Sequence, residues 1–330
     1  MSPQPYYDPE VRAAIEAGPR LGTVDARTLP KVRADRLLLN EQVQLSDAVT
    51  RTDLHVPGPP GAPDIRLRVH RPRGTEGDLP CLYWVHGGGY VLGAPEQDDL
   101  RFDRWCQRFG LVGVAVQYRL APEHPYPAPI EDCYAGLRWV KEHGAEIGVD
   151  TGRVGIGGPS GGGGLAAALA LVTRDRGEVE IDYQLLIYPM IDDTRAGVTA
   201  SWDVPVWNTA SNEFGWKSYL GDLYGTDDVP AHAAPSRATD LAGLPPTYIM
   251  VGTLDAFADE DIEYAQRLNH AGVPVELHVY PGAPHGFEGF APGSALARQA
   301  RNDMNNWLAS RLAPPVGERA VAPAGTGSRP

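Results

Sequence analysis

Residues Gly155 to Ala170 read GIGGPSGGGGLAAALA, and seven of the first ten are glycine. The run follows an apolar segment, Arg153 to Gly158, and leads into a stretch of strong helix formers. A loop this short between two buried elements is a fixed turn and not a linker. Glycine at a strand-to-helix turn serves several chemistries. A Walker-type phosphate loop needs Lys followed by Ser or Thr, and this run has no Lys. A dinucleotide fingerprint can be forced onto Gly161, Gly163 and Ala166, but it is expected after a first strand, and several strands precede it here. The better match is Gly158-Pro159-Ser160-Gly161-Gly162, the one G-x-S-x-G in the chain. In such an elbow the serine adopts a strained backbone and its hydroxyl stands above the sheet. The next N–H, at a helix N-terminus, is placed to meet an oxyanion.

A serine hydroxyl needs a base, and the base needs an orienting acid. On a parallel sheet with this elbow the expected order is Ser, acid, His. The histidines after Ser160 are His232, His270, His278 and His285. His278 alternates within a strand pattern and reads as a strand-face residue. His270 sits near a helix C-terminus, where a cation suits the dipole. His232 lies in the Pro/Ala-rich end of an insert. His285, in YPGAPHGF, falls just past the last strand, at the sheet edge that carries Ser160. It is the candidate base, against the plainer reading of a loop histidine. Asp255 ends the strand TYIMVGTLD at the same edge, one helix and one strand before His285, and is the candidate acid. Asp259 and Asp261 compete with it, but they open a helix and suit its N-terminus. Upstream, His86-Gly87-Gly88-Gly89-Tyr90 follows the strand CLYWV. Its glycines let the backbone approach a ligand closely, as an oxyanion hole requires. The His86 side chain needs no role beyond bracing that loop.

Outward from these motifs, short apolar runs alternate with helical patterns: Leu79 to Val85, Leu111 to Tyr118, Arg153 to Gly158, Tyr183 to Met190, Pro246 to Asp255 and Val273 to Gly282. They fit strands buried on both faces of a parallel sheet. Between them, Leu100, Phe102, Trp105 and Cys106 have helical spacing, as do Ile130, Cys133, Tyr134, Leu137 and Val140. The alternation predicts an α/β fold. VTRTDLHVPG and DIRLRVHRP flank the turn PGPPGAP and read as an antiparallel leading edge. Two regions break the pattern. Residues 1–48 are helical in pattern, and 193–233 carry Trp202, Trp207, Phe214, Trp216 and Tyr219. Together they form a cap over a core of 49–192 and 234–312. The tail 313–330 is rich in Pro, Gly and Ala and reads as disordered.

The formal charge is −13, from 29 Lys and Arg against 42 Asp and Glu, which argues against a nucleic-acid partner. The three cysteines, Cys81, Cys106 and Cys133, form no C-x-x-C pair and read as buried thiols. No basic and apolar leader opens the chain, and no apolar run approaches the ~20 residues of a membrane span. A cytoplasmic protein without metal or cofactor is expected, since no H-E-x-x-H or other clustered ligand set appears.

These motifs resemble the hormone-sensitive-lipase-like branch of the α/β-hydrolases, the bacterial family IV carboxylesterases. YRLAPEHPYPA (Tyr118 to Ala128), LLIYPMID, LAGLPPTYIMVGTLD and ELHVYPGAPHGF are similar to that family's blocks, over roughly residues 50–312. The resemblance implies an α/β-hydrolase fold with a mostly parallel eight-stranded sheet, flanking helices and a helical cap. It implies a triad of Ser160, Asp255 and His285. It also implies an oxyanion hole of Gly88, Gly89 and Gly161, although spacing alone does not separate Gly87 from its neighbours. The implied activity is hydrolysis of short- to medium-chain esters, with no cofactor and often as a homodimer. Amide, carbamate or lactone hydrolysis, or ligand binding without turnover, are the alternatives. The family's GDSAGG is here GPSGG, and its DPLRD is DAFAD, so pocket shape and polarity differ.

Overall fold

The structure is a computed structural model and describes residues 6–18, 22–194, 199 and 206–313. Helices α1 (Pro9–Ala17) and α2 (Leu29–Glu41) precede the sheet. Strands β1 (Val49–Val56) and β2 (Ile65–Pro72) form the antiparallel hairpin, and β3 (Leu79–Val85) opens the parallel part. Then come α3 (Asp99–Phe109), β4 (Val112–Gln117), α4 (Ala128–His143), β5 (Val149–Pro159), α5 (Gly161–Arg176) and β6 (Gln184–Ile187). After α6 (Thr209–Leu220) the alternation resumes with β7 (Thr247–Gly252), α7 (Ala258–His270) and β8 (Val275–Tyr280). The short α8 (Phe287–Phe290) and α9 (Ala295–Leu312) follow.

The eight strands are ordered β1-β2-β4-β3-β5-β6-β7-β8, antiparallel at β1-β2 and β2-β4 and parallel from there on. All six residues of β7 are buried, which is why it is apolar from Tyr248 to Gly252, with Thr247 bonded through its hydroxyl to Gln184 and the Pro245 carbonyl. Side chains along β3 alternate between the two faces of the sheet. Tyr83 joins the core under α4 and α5, while Leu82 and Trp84 join the core under α3 and α9. Gly161 to Thr173 of α5 are all buried, and the alanines there let the helix lie close to the sheet.

Two expectations shift. The apolar run Tyr183 to Met190 yields a strand of only Gln184–Ile187, because Tyr188, at φ +36°, turns the chain out of the ladder. In α3, Phe102, Trp105 and Cys106 face the core, but Leu100 is exposed. It lies two residues before Phe102, on the other side of a 3.6-residue turn. The three cysteines are buried and free. Among the described residues, no helix is long and apolar enough to cross a membrane, and no group of three His, Cys, Asp or Glu side chains is arranged to hold a metal.

Before the sheet, α1 docks at its far end. The Asp8 N–H donates to the Gly282 carbonyl, and the Ala295 N–H donates to Glu10. The segment leading into α2 binds α6 instead. The Val24 N–H donates to Ser211 Oγ, and Asn208 Nδ2 donates to Thr23 Oγ1. Trp202 and the tail 314–330 lie outside the described residues.

Candidate active site

Strand β5 delivers Ser160 and α5 begins immediately after it. Ser160 has φ +56° and ψ −128°, a strained conformation for a residue with a side chain. Three hydrogen bonds hold it there. Its N–H donates to the Ile187 carbonyl at 2.9 Å, and its own carbonyl accepts from the Gly164 and Met190 N–H groups. The flanking glycines supply room. A Cβ on Gly162 would lie 2.2 Å from the Val85 carbonyl oxygen and 2.5 Å from that of His86. One on Gly158 would lie 2.5 Å from the Gly162 carbonyl oxygen. The elbow is therefore pressed directly onto the end of β3.

The loops after β7 and β8 bring Asp255 and His285 to the same point. His285 Nε2 lies 2.9 Å from Ser160 Oγ, and Nδ1 lies 2.8 Å from Asp255 Oδ2. The other Asp255 oxygen accepts the Phe257 N–H at 3.1 Å. Asp255 is fully buried, and Ser160 and His285 are exposed by only 8 % and 6 %. The imidazole is clamped edge-on by Tyr188 and Phe257, with ring centroids 4.5 and 5.2 Å away. Such contacts fix the ring plane without taking a hydrogen bond from it.

The loop His86 to Tyr90 crosses in front of the elbow. The buried His86 ring stacks on Tyr118 at 4.2 Å, and Tyr118 Oη donates to the His86 carbonyl. Burial pulls the His86 imidazole down to about 4, so it stays neutral. Gly88 and Gly89 have φ of +134° and +56°. Gly161 packs against this loop, since a Cβ there would lie 2.9 Å from the Gly89 and Tyr90 nitrogens. That contact explains glycine where the family has alanine. Pro159 touches the same loop, with its ring carbon Cγ 3.3 Å from where a Gly87 Cβ would stand.

The other candidates lie elsewhere. His278 pairs with Glu276 on β8, His232 pairs with Asp175, and His270 is in the last turn of α7. Asp259 accepts the Thr199 N–H. Asp261 departs from its expected place as a helix-end anion. It is fully buried with no hydrogen-bond partner for either oxygen, and burial, then Glu260 and Asp255, push its carboxyl well above the usual range.

Three contacts escaped the sequence reading. Tyr188 Oη donates to Glu288 Oε1 at 2.6 Å, so the residue behind His285 is itself anchored to α8. Glu260 accepts the Ile191 and Asp192 N–H groups and ties the end of the β6 segment to α7. The Trp207 indole lies on Gly89, so close that a Cβ there would fall 2.3 Å from the ring, and its N–H donates to Asn212. The tryptophan was legible as one of several cap aromatics, but its contact was not.

A sequence profile of the α/β-hydrolase fold matches residues 82–289. The chain is 38% identical over 252 residues to esterase LipI of Mycobacterium tuberculosis, covering 76% of this chain and 78% of that one. It is 38% identical over 235 residues to carboxylesterase NlhH of the same species, covering 70% and 73%. Among solved structures, a bacterial heroin esterase superposes with a TM-score of 0.88 at 40% identity, covering 93% of this chain and 98% of that one. The chain belongs to the α/β-hydrolases, in their hormone-sensitive-lipase-like, family IV carboxylesterase branch.

Proposed function

We propose that the protein is a serine carboxylesterase that hydrolyses short- to medium-chain esters through an acyl-enzyme on Ser160. The observation that carries this reading is the unbroken relay from Ser160 Oγ through His285 to the buried Asp255. With Nδ1–H donated to Asp255, Nε2 is left as the acceptor for the serine proton. Ser160 Oγ attacks the ester carbonyl and His285 takes its proton. The same proton then passes to the departing alkoxide, which leaves as the alcohol. Water, deprotonated by His285, attacks the acyl-serine, and the proton returns to Oγ as the acid is released.

The N–H groups of Gly88, Gly89 and Gly161 are assigned to the oxyanion. Each such donor is typically worth ~3 kcal/mol in the transition state. Asp255 sets the imidazole's tautomer and stabilises the imidazolium. Turnover needs the neutral imidazole as the proton acceptor. The names of the relatives, esterases and carboxylesterases, support the same reaction.

Residues 1–48 and 193–233 are taken as a cap over this mouth. The Val24 N–H donates to Ser211 of α6 and Thr23 accepts from Asn208 at its cap, which supports that division for the segment before α2. The three free buried thiols support a cytoplasmic location. The open edge of β8 is the surface by which two copies would pair. A protein that elutes as a monomer at every concentration would remove that pairing.

The reaction is tested with aryl esters of graded acyl length, comparing wild type with Ser160→Ala. Wild type turns over the shorter chains, and Ser160→Ala loses about 10^4-fold or more. Absence of turnover at every chain length refutes the esterase. Full activity in the alanine variant refutes the nucleophile.

A further inference from the structure

Among the described residues, four other than glycine have a left-handed backbone: Tyr90, Ser160, Tyr188 and Val206. The first three stand at the reacting edge. Tyr90 ends the loop of glycines, Ser160 forms the elbow and Tyr188 packs on His285. Val206 is the odd member. It lies in the insert just before α6, and a β-branched residue at φ +89° is a genuine outlier. Such strain persists only where surrounding contacts over-determine it. Here the contacts lead back to the same edge. Val206 Cγ1 lies 3.8 Å from where a Gly286 Cβ would stand, next to His285 in the chain. The following residue, Trp207, lays its indole on Gly89, with Cζ2 and Cη2 each 2.3 Å from where a Cβ would stand. Two consecutive residues of the insert therefore touch the loop of the base and the loop of the glycines.

The peptide of Gly89 needs that support. Its neighbours are held by hydrogen bonds. The Gly87 carbonyl accepts from Gln97 Nε2, and the Gly88 carbonyl accepts from the Val91 and Leu92 N–H groups. The Tyr90 carbonyl accepts the Ala121 N–H, and the Tyr90 hydroxyl donates to the Met190 carbonyl. Between them, Gly89 makes no hydrogen bond to a described residue, and it has no side chain to anchor it at φ +56°. Glycine loses more conformational freedom than any other residue when it is fixed, so packing has to hold this amide. Gly161 lies against its nitrogen, and α6 lies against its carbonyl, where a Cβ on Gly215 would fall 2.8 Å from the oxygen. The Trp207 ring covers the remaining side. The ring is itself fixed: Trp207 is 5 % exposed, and its N–H donates to Asn212 Oδ1 at 3.2 Å.

We propose that Trp207 is a positioning residue, through which the insert holds the Gly89 amide in the direction an oxyanion requires. This role rests on the esterase reading and on the place of Gly89 in its oxyanion hole. An amide free to swing fails to meet the charge that develops only in the transition state. The ring therefore protects turnover and not substrate binding.

Wild type is compared with Trp207→Ala and with Trp207→Phe, which keeps part of a ring beside Gly89. Diisopropyl fluorophosphate counts the competent sites: Ser160 Oγ bonds to phosphorus, fluoride leaves, and the phosphoryl oxygen faces the same oxyanion hole. The readouts are labelled serines per chain, the rate of labelling, and kcat and KM for a short aryl ester. In Trp207→Ala the labelling rate and the kcat per labelled serine are expected to fall about tenfold or more, with KM within about threefold of wild type. Trp207→Phe falls between the two. Equal kcat per labelled serine in wild type and Trp207→Ala overturns the proposal, because any loss is then misfolding. A raised KM at unchanged kcat also overturns it, and makes the ring a wall of the substrate pocket. If wild type is labelled but turns over no ester, the esterase reading fails and the labelling rates alone decide the role of Trp207. If wild type is not labelled, both fall.

Discussion

The molecule has two glycine runs at its reacting edge, and they use glycine in different ways. In the elbow, Gly155 to Gly164, no glycine has a left-handed backbone; the one residue that does is Ser160. There the missing side chains make space, letting the start of α5 lie against the carbonyls of Val85 and His86. In the loop Gly87 to Gly89 space is short as well, a Cβ on Gly88 falling 2.3 Å from the Leu92 carbonyl oxygen, but a conformational need is added, since Gly88 and Gly89 take φ angles that side chains resist. One run is about packing alone, and the other also about the direction in which amides point. Similar composition therefore conceals two demands, and a substitution should separate them: damage to the elbow appears as lost stability, damage to the loop as lost turnover.

The largest effect is expected from Gly162→Ala. Its methyl has backbone oxygens at 2.2 and 2.5 Å and nowhere to go, so the fold loses about 3 kcal/mol or more. A urea midpoint equal to wild type would break the comparison at once. Gly89→Ala comes next. The backbone conformation costs about 1 kcal/mol, and the methyl drives into Trp207. The variant should fold yet lose about 10^2 in kcat. Adding Trp207→Ala sharpens the reading, because it relieves the clash but not the strained φ; partial recovery of kcat assigns the loss to the ring.

Asp261→Asn tests the charge behind the acid and not the glycines. The Asp261 carboxyl is raised in the folded state, so the unfolded chain ionises first as pH rises above the ordinary carboxylate range. Stability from the buried acid is thus greatest below that range and declines above it. The asparagine variant removes the decline. Its Tm should match wild type near pH 4 and exceed it by about 2 °C or more near pH 8. A lower Tm at pH 8 would show an ionised, paired carboxylate. The smallest effect belongs to Pro159→Ala. It removes part of a buried ring, worth about 1 kcal/mol, and leaves the amide of Gly161 in place. Thermal melts should fall slightly and kcat should stay within about threefold. A large loss would mean that the proline itself shapes the elbow.

Much of this was readable along the chain because it is local. The apolar runs of β3, β4 and β7 and the elbow around Ser160 sit within short windows, and Asp255 and His285 were readable because each directly follows a strand pattern, although 125 residues separate Ser160 from His285. What was not readable depends on residues distant in sequence that meet only after folding. Tyr188 leaves its strand early because the turn toward the elbow requires it, and no propensity marks that point. Leu100 fits an apolar pattern, but its angle on α3 is decided by which face meets the sheet. Asp261 sits one turn into a helix, where an acid usually faces water, and only the packing of α7 buries it.

The hydrogen bond between Ser160 and His285 closes 125 residues of chain, whereas that between His285 and Asp255 closes 30. Between Ser160 and His285 the chain must lay down β6, β7 and β8 in parallel register, pairing Ile156 with Gln184, Gln184 with Thr247 and Thr247 with Val275. Loop-closure entropy makes such non-local pairings late and slow. Helical signal in α4 and α5 returns early in refolding and says little about the relay. Catalytic competence requires β5 to β8 to be paired, so an ester assay timed against helix recovery measures how this half of the molecule folds.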